Sequence, residues 1–241
     1  MRRLVGVGVG PGDPELVTVK AVRELCAADL VLVPVLAPDE PGRAEVTVRA
    51  HVDHDRVRRT VFALNERTDR TRREAAWDAA ADAVVTAYGE GAATVAFATI
   101  GDPNVYSTFT YLAQTVRERV PGVGVETVPG ITAMQDLAAR SGVVLCEGRE
   151  TLALFPLTAG VGRFRDALAR FDTVVGYKGG RHLPEMLEAV DEAGRLDTAV
   201  YGASLGLPDE EIRPAAAVTG TAPYLATLLV PGRRSSRGGK L

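Results

Sequence analysis

Hydrophobic positions along the chain follow two patterns, short apolar runs and stretches with helical spacing, which predict strands and helices in regular succession. The clearest helix is predicted over 104–119, where apolar side chains recur at i, i+4, i+7 and i+11 from Val105 to Val116. Tyr106 lies off this stripe, so its hydroxyl either faces a cleft or is exposed without a role. This alternation indicates an α/β protein with parallel sheets and helices on both faces.

The predicted elements fall into two halves, separated by the Arg-Val-Pro-Gly segment at 119–122. Because no long linker is present, we expect two closely packed domains, 1–120 and 121–231, followed by a disordered tail at 232–241. Strands are predicted near 3–9, 28–35, 59–64, 93–100, 123–128, 151–156, 172–178, 197–203 and 225–230, and further helices near 14–26, 70–88, 161–171 and 183–193.

Two turns of similar composition each follow an apolar run and precede a predicted helix. The first reads Gly-Val-Gly-Pro-Gly-Asp-Pro over 8–14, and the second reads Thr-Ile-Gly-Asp-Pro-Asn-Val-Tyr over 99–106. In an open parallel sheet such turns lie together at the carboxyl edge, where ligands bind. Glycine lets the main chain approach a ligand closely and proline stiffens the loop, so a ligand held by main chain is favoured. Asp13 is also predicted to cap a helix that begins at Pro14, which is compatible with a ligand loop.

A dinucleotide site is disfavoured by the spacing of the first turn. Asp13 stands where a G-x-G-x-x-G fingerprint needs its third glycine, and a carboxylate there would repel a pyrophosphate. The second strand, Asp29 to Val35, does not end on an acid suited to a ribose, apart from the more distant Asp39. No Gly-Lys-Ser/Thr follows either turn, which excludes a Walker loop.

Composition and charge narrow the class of protein. The 241 residues are 46% hydrophobic, which is ample for the core of a globular protein. A formal charge of −3 gives no whole-molecule attraction to nucleic acid or to an anionic membrane. No apolar run approaches the ~20 residues that span a bilayer, and Arg2-Arg3-Leu4 opens into a strand rather than a signal peptide, so we expect a cytoplasmic protein.

Cysteine and histidine are scarce. Cys26 and Cys146 are the two cysteines of the chain, and we expect buried free thiols rather than a disulfide or a metal site. None of the three histidines has a zinc-type spacing with a cysteine. No metal centre is therefore predicted.

Four motifs stand out along the chain: Gly-Val-Gly-Pro-Gly-Asp-Pro-Glu-Leu at 8–16, Gly-Asp-Pro-Asn-Val-Tyr at 101–106, Val-Pro-Gly-Ile-Thr-Ala at 128–133 and Gly-Tyr-Lys at 176–178. They occur in the order found in the tetrapyrrole methyltransferases, and the chain resembles this family over essentially its whole length. Within the family, 101–112 and the Pro-Glu-Leu at 14–16 are most similar to members that methylate C20 of precorrin-2. The resemblance implies two α/β domains with a cofactor cleft between them, S-adenosyl-L-methionine bound there in a bent shape, and a homodimer.

The resemblance also implies which residues bind the cofactor. Pro11 would line the substrate end of the cleft, and the main chain near Gly101 would hold the methionine part. Lys178 departs from the methionine that is common at this position in relatives. The full set of implied contacts is Pro11, Gly101, Asp102, Val105, Tyr106, Thr132 and Ala133, together with Tyr177, Lys178, Gly202 and Ala203 around the adenosine.

The chemistry that the resemblance implies needs little catalytic apparatus. Methyl transfer from a sulfonium to carbon is an in-line displacement, which positioning can accelerate. Attack at a meso carbon leaves a proton for a side chain or water to remove, and Asp102 and Tyr106 are the candidate acceptors by motif. Asp102 has an alternative role as the cap of a helix that begins near Asn104.

Several alternatives stay open at this point. The substrate is either metal-free precorrin-2 or cobalt-factor II, or methylation falls at another ring position. A diphthine-synthase-like enzyme that acts on a protein side chain is disfavoured by the 107–112 segment, and a non-catalytic binder by the intact loops. The tetrapyrrole is a polycarboxylate, so the segment 49–73, with eight arginines against four acids, is either a carboxylate-binding region or a solvated surface.

Overall fold

The computed structural model describes residues 1–62, 70–156, 160–223 and 225–234, without the side chain of His54. The chain divides into two compact units, Met1–Thr132 and Ala133–Leu241. Each unit contains one five-stranded sheet with a hydrophobic cluster on either face. The α/β class expected from the sequence is confirmed.

The first unit is a parallel sheet with the strand order β3-β2-β4-β1-β5. This order differs from the β3-β2-β1-β4-β5 order of a dinucleotide-binding sheet, in agreement with the spacing argument. The strands are β1 (Arg3–Gly8), β2 (Leu30–Val35), β3 (Val57–Val61), β4 (Thr94–Thr99) and β5 (Gly124–Val128), and the helices are α1 (Val19–Ala27), α2 (Arg43–Arg49), α3 (Arg70–Gly89) and α4 (Phe109–Arg119).

Alternation along β1 gives the first sheet two apolar faces. Leu4 packs in the cluster that includes residues of α3 and α4, whereas Val5 and Val7 pack in the cluster that includes residues of α1 and α2. Successive side chains of a strand point to opposite faces, so one apolar strand serves both layers. Because all strands of this sheet are parallel, their carboxyl ends lie at the same edge.

The second unit is a mixed sheet with the order β6-β7-β10-β8-β9. Within this sheet the β6–β7 pair is parallel, and the other three described pairs are antiparallel. The expectation of a parallel sheet is therefore wrong for this half. The strands are β6 (Leu152–Pro156), β7 (Thr173–Tyr177), β8 (Val200–Ala203), β9 (Glu211–Pro214) and β10 (Ala226–Val230), and the helices are α5 (Ala133–Ser141), α6 (Val161–Arg170) and α7 (Leu183–Glu192).

Several boundaries differ from those predicted. The helix expected over 14–26 is a short 3₁₀ turn at Pro14–Leu16 followed by α1, and the helix expected from 104 begins at Phe109. α2, α5 and β9 were not predicted. Asp13 does cap the 3₁₀ turn, since its side chain accepts a hydrogen bond from the Glu15 N–H.

The boundaries of the two units differ from the predicted domain boundaries. β5 pairs with β1, so the first unit extends beyond 120 to Thr132. At the other end, Arg234 of the expected tail forms hydrogen bonds with the Glu150 carboxylate. Residues 235–241 lie outside the described residues.

Both cysteines differ from the expectation of burial. Cys26 and Cys146 are free thiols, as predicted, but both are exposed. Among the described residues, no helix is long and apolar enough to cross a membrane. Within the same residues, no group of three or more His, Cys, Asp or Glu side chains could hold a metal ion.

Candidate cofactor site

Strand register places three loops side by side at the carboxyl edge of the first sheet. Gly8 at the end of β1 pairs with Thr99 at the end of β4, and Val7 pairs with Val128 at the end of β5. Loops that leave adjacent parallel strands at the same level must start next to one another. The glycine motifs that follow β1, β4 and β5 therefore meet at one point.

Glycines make this meeting sterically possible. A Cβ atom on Gly8 would stand 2.5 Å from the Gly101 carbonyl oxygen, and one on Gly130 would stand 2.1 Å from the same oxygen. Such contacts are far shorter than van der Waals distance and involve backbone that cannot rotate away. Only glycine fits at Gly8 and Gly130, which explains why the motifs carry it there.

Gly101 differs from these two glycines because its open side faces empty space. Its φ is +70°, and no heavy atom of the described residues lies within 4 Å of the position that a Cβ would take. Its N–H donates a hydrogen bond of 2.7 Å to the Gly10 carbonyl, which joins the loop after β4 to the loop after β1. Gly101 thus leaves its main chain uncovered on this side, and its contact with a backbone-held cofactor stays a prediction.

Asp102 links the loops after β4 and β5. One carboxylate oxygen accepts a hydrogen bond of 2.8 Å from the Asn104 N–H, and the other accepts one of 3.0 Å from the Gly130 N–H. These two bonds give Asp102 a structural role in the loop. The helix that it was predicted to cap does not begin near Asn104, because α4 begins at Phe109. A role of Asp102 as proton acceptor stays a prediction and would have to compete with both bonds.

Tyr106 was predicted to lie on a helix, but it lies in the loop before α4. Its φ is +51°, and its side chain is 42% exposed. Partial burial raises the pKa of Tyr106 above its ordinary value. A neutral phenol is therefore the form present at neutral pH, and it is a hydrogen-bond donor and a weak base.

The rest of the loop is fastened to the sheet. The Ser107 hydroxyl lies 3.1 Å from Oγ1 of Thr99 and accepts a hydrogen bond from the Phe109 N–H at the start of α4. The Val105 N–H donates to the Asp102 carbonyl. Pro11, on the neighbouring loop, is buried. The structure thus brings Pro11, Gly101, Asp102, Val105 and Tyr106 to adjoining loops of the first unit.

A second group of predicted residues meets at one edge of the second sheet. Thr227 of β10 pairs with Tyr177 on one side and with Gly202 on the other, so the three residues form one cross-strand row. Thr227 is 2% exposed and was not predicted as a site residue. No local signal in the sequence reveals it, because its place depends on the antiparallel pairing of β10.

Tyr177 and Gly202 both contact α5. The Tyr177 hydroxyl accepts a hydrogen bond of 3.0 Å from the Met134 N–H in the first turn of α5, where backbone donors lack helical partners. A Cβ on Gly202 would stand 2.7 Å from Cδ1 of Leu137. Packing against α5 is thus a structural reason for the glycine, and its predicted contact with adenosine stays untested.

The other predicted residues have less distinctive surroundings. Lys178 follows β7 in a left-handed conformation with φ +58°, which a residue with a Cβ adopts at a cost of roughly 1–2 kcal/mol. Ala203 ends β8 and is buried. Thr132 ends the first unit, with 7% of its surface exposed, and Ala133 begins α5.

The arginine-rich segment serves this chain's own groups at several positions. Arg49 and Arg59 both donate to the buried Glu45 carboxylate, at 2.7 and 2.8 Å. Arg56 donates to the Cys26 carbonyl at 2.6 Å. The exposed Arg70 pairs with Glu74, and Arg67 lies outside the described residues. A role of the segment toward substrate carboxylates stays a prediction.

Comparison with known proteins assigns the chain to a family. The family model described as Tetrapyrrole (Corrin/Porphyrin) Methylases matches residues 3–218. The chain belongs to this family. The tetrapyrrole methylase motifs singled out above all lie within the matched region.

Individual tetrapyrrole methylases match most of the chain. A precorrin-2 C(20)-methyltransferase from Sinorhizobium sp is 34% identical over 238 residues, 95% of each chain. A probable cobalt-precorrin-2 C(20)-methyltransferase from Methanocaldococcus jannaschii is 34% identical over 190 residues, 79% of this chain and 77% of that protein.

A solved tetrapyrrole methylase structure shares the fold. Uroporphyrin-III C-methyltransferase from Thermus thermophilus, complexed with S-adenosylhomocysteine, matches with a TM-score of 0.63 at 22% identity, covering 94% of this chain and 96% of that one. At this identity the likeness shows the fold and no more.

Proposed function

We propose that this tetrapyrrole methylase transfers the methyl group of S-adenosyl-L-methionine to C20 of precorrin-2, giving precorrin-3A in cobalamin biosynthesis. The observation that carries the proposal is the 34% identity to the Sinorhizobium precorrin-2 C(20)-methyltransferase over 95% of both chains. The loop geometry supports it, because Gly101 offers open main chain where a backbone-held cofactor is expected.

The residues of the first unit would bind and orient rather than react. When bound, S-adenosyl-L-methionine would supply an electrophilic methyl group, which C20 would displace from the sulfonium to leave S-adenosylhomocysteine, and the C20 proton would pass to a side chain or to water. Gly101 and Val105 would hold the methionine part through main chain. Asp102 keeps the loops after β4 and β5 together through its two accepted hydrogen bonds. Rate acceleration would come mainly from alignment of the reacting atoms.

The test is a direct assay of the reaction. The purified chain is incubated with S-adenosyl-L-methionine and precorrin-2, and the product is analysed by mass spectrometry and NMR. We expect one new methyl group at C20. A methyl group at another ring carbon would replace the proposed position, and cofactor binding without any methylated product would indicate a non-catalytic binder.

A cobalt-containing substrate is the second candidate. The Methanocaldococcus relative, a probable cobalt-precorrin-2 enzyme, has the same identity over a shorter span. Parallel incubations with cobalt-precorrin-2, the substrate named for that relative, and with cobalt-factor II under the same conditions compare the metal-containing substrates with precorrin-2. Faster methylation of the cobalt form would favour this candidate over the metal-free one.

Two further properties follow from the family resemblance as proposals. We propose that the enzyme is a homodimer, which sedimentation velocity would measure. We also propose that it acts in the cytoplasm, which the biosynthetic role named for its relatives supports.

A further inference from the structure

Side chains from α2 and from the turn after it hold the loop that follows β1. The Thr47 hydroxyl donates a hydrogen bond of 3.0 Å to the Gly12 carbonyl. Four residues later, Nε2 of His51 lies 2.9 Å from the Pro14 carbonyl oxygen. Because a carbonyl only accepts, this nitrogen carries its hydrogen, in either the neutral Nε2–H tautomer or the imidazolium. The carbonyls of the residues on both sides of Asp13 are therefore held by hydrogen bonds from α2 and from the turn after it.

The Thr47 bond is inaccessible to water. Thr47 is 0% exposed, and Gly12 is buried. A buried carbonyl that loses its donor pays the full cost of its desolvation. Without the Thr47 hydroxyl, the loop would gain by moving to a conformation in which the Gly12 carbonyl reaches water or another donor.

Such a movement would be felt at the candidate cofactor site. Gly10, two residues before Gly12, accepts the 2.7 Å hydrogen bond from the Gly101 N–H. A Cβ on Gly10 would stand 2.9 Å from the Leu16 carbonyl oxygen, so this loop packs tightly on its own following turn. Since Gly10 and Gly12 share a short, tightly packed segment, displacement of Gly12 would shift the acceptor that positions Gly101.

α2 is suited to act as a fixed support. Its Glu45 side chain, 2% exposed, accepts hydrogen bonds from Arg49 on the same helix, from Arg59 on β3 and from the Gly42 N–H. These bonds tie the beginning of α2 to the sheet. The hydroxyl of Thr47 thus projects from an element that is itself anchored.

We propose that Thr47 is a positioning residue for methyl transfer: its hydroxyl, together with His51, holds the loop after β1 in the conformation that presents Gly101 to S-adenosyl-L-methionine. The inference rests on the proposed function for the identity of the cofactor and for its contact with Gly101. Thr47 acts through Gly12 and Gly10 and does not itself contact the cofactor.

The test compares Thr47→Val, which removes the hydroxyl at nearly constant shape, with the conservative Thr47→Ser. Thr60→Val is the matched control, because the Thr60 hydroxyl is buried and has no hydrogen-bond partner among the described residues. Calorimetry with S-adenosylhomocysteine measures affinity, and urea unfolding measures stability. We expect Thr47→Val to raise Kd about tenfold, because fewer molecules hold the competent loop, and the other two variants to stay within about twofold of wild type.

Equal Kd values for Thr47→Val and wild type would overturn the proposal, whatever happens to stability, because a merely structural threonine lowers the unfolding midpoint alone. If Thr47→Val does not fold, His51→Leu and His51→Gln replace it. Loss of the donor in His51→Leu should raise Kd, whereas His51→Gln, which keeps an N–H, should not. Failure of the wild-type chain to bind S-adenosylhomocysteine would instead refute the proposed function.

Discussion

Tyr106 combines a left-handed backbone with a half-exposed side chain in the loop between β4 and α4. Its raised pKa disfavours the phenolate that an efficient proton acceptor would need near neutral pH. The residue is therefore better suited to orient the macrocycle with its ring or its hydroxyl hydrogen than to remove a proton.

Substitution of Tyr106 separates these roles. We expect Tyr106→Phe to keep kcat within a few-fold of wild type and Tyr106→Ala to be clearly poorer, in steady-state assays with precorrin-2. A fall in kcat of about 10²-fold or more in the phenylalanine variant, with cofactor affinity unchanged, would assign the proton to the hydroxyl. Wild-type turnover in both variants would leave Asp102 or water to accept the proton.

Gly101 offers a second test at the scale of one residue. Gly101→Ala should weaken S-adenosylhomocysteine binding at least tenfold in calorimetry, because the new methyl group enters the open space that the ligand needs. An alanine at this left-handed φ of +70° should also lower the free energy of unfolding by about 1–2 kcal/mol.

Gly122→Ala is the control for Gly101→Ala. Its φ is +79°, its Cβ would also meet no described atom within 4 Å, and it precedes β5 at the opposite edge of the sheet. The control should lose similar stability and keep full affinity. Equal affinities in the two variants would remove Gly101 from the site.

At the scale of elements, α2 shows why the sequence prediction was incomplete. Its composition, with Val46, Thr47 and Val48 in succession, is typical of a strand, and β-branched residues weaken the helical signal. The helix is also stabilised by the buried Glu45, which accepts hydrogen bonds from Arg49 one turn further along α2 and from Arg59 on β3, 14 residues away. Tertiary contacts of this kind are not visible in local periodicity.

The Glu45 anchor predicts how stability depends on pH. Burial alone would raise the pKa of Glu45, but hydrogen bonds from Arg59, Arg49 and the Gly42 N–H outweigh it and lower the pKa below its ordinary value. A carboxyl whose folded pKa is depressed stabilises the fold above its unfolded pKa of about 4.3, and this contribution is lost as the pH falls through the folded value. We expect Glu45→Gln to lose about 3 kcal/mol of unfolding free energy at pH 7.

Urea unfolding over a series of pH values checks this prediction. The difference between Glu45→Gln and wild type should narrow below about pH 4.3, where the Glu45 carboxyl begins to protonate in the unfolded chain while it stays ionised in the folded one. Glu74→Gln, which affects an exposed pair with Arg70, should change stability by less than about 1 kcal/mol. A constant difference between the Glu45 variant and wild type down to acid pH would contradict the ion-pair explanation.

At the scale of the whole molecule, the two halves were predictable to different degrees. In the first unit all four described strand pairs are parallel, so the alternation of elements was a reliable guide and the glycine loops fell at the expected edge. In the second unit, β8, β9 and β10 pair antiparallel. β9 is short and polar, so its pattern gave no strand signal.

Loop positions were predictable where they depend on the position of a motif. That the loops at Gly8 and Gly101 meet followed from their place after two apolar runs of an open parallel sheet, whereas the loop at Gly130 was implied by the family resemblance alone. The row through Thr227 and the support from Thr47 depend on pairing and packing across distant parts of the chain, which a local pattern does not encode.

The exposed thiols have a practical use. Cys26 belongs to one compact unit and Cys146 to the other, and the sequence contains no further cysteine. A donor and an acceptor fluorophore coupled through maleimides would therefore attach at one position in each unit of the unmutated chain. Single-molecule energy transfer would then record any change in the distance between the two labelled cysteines as S-adenosylhomocysteine is added. The measurement would need no mutation of the chain.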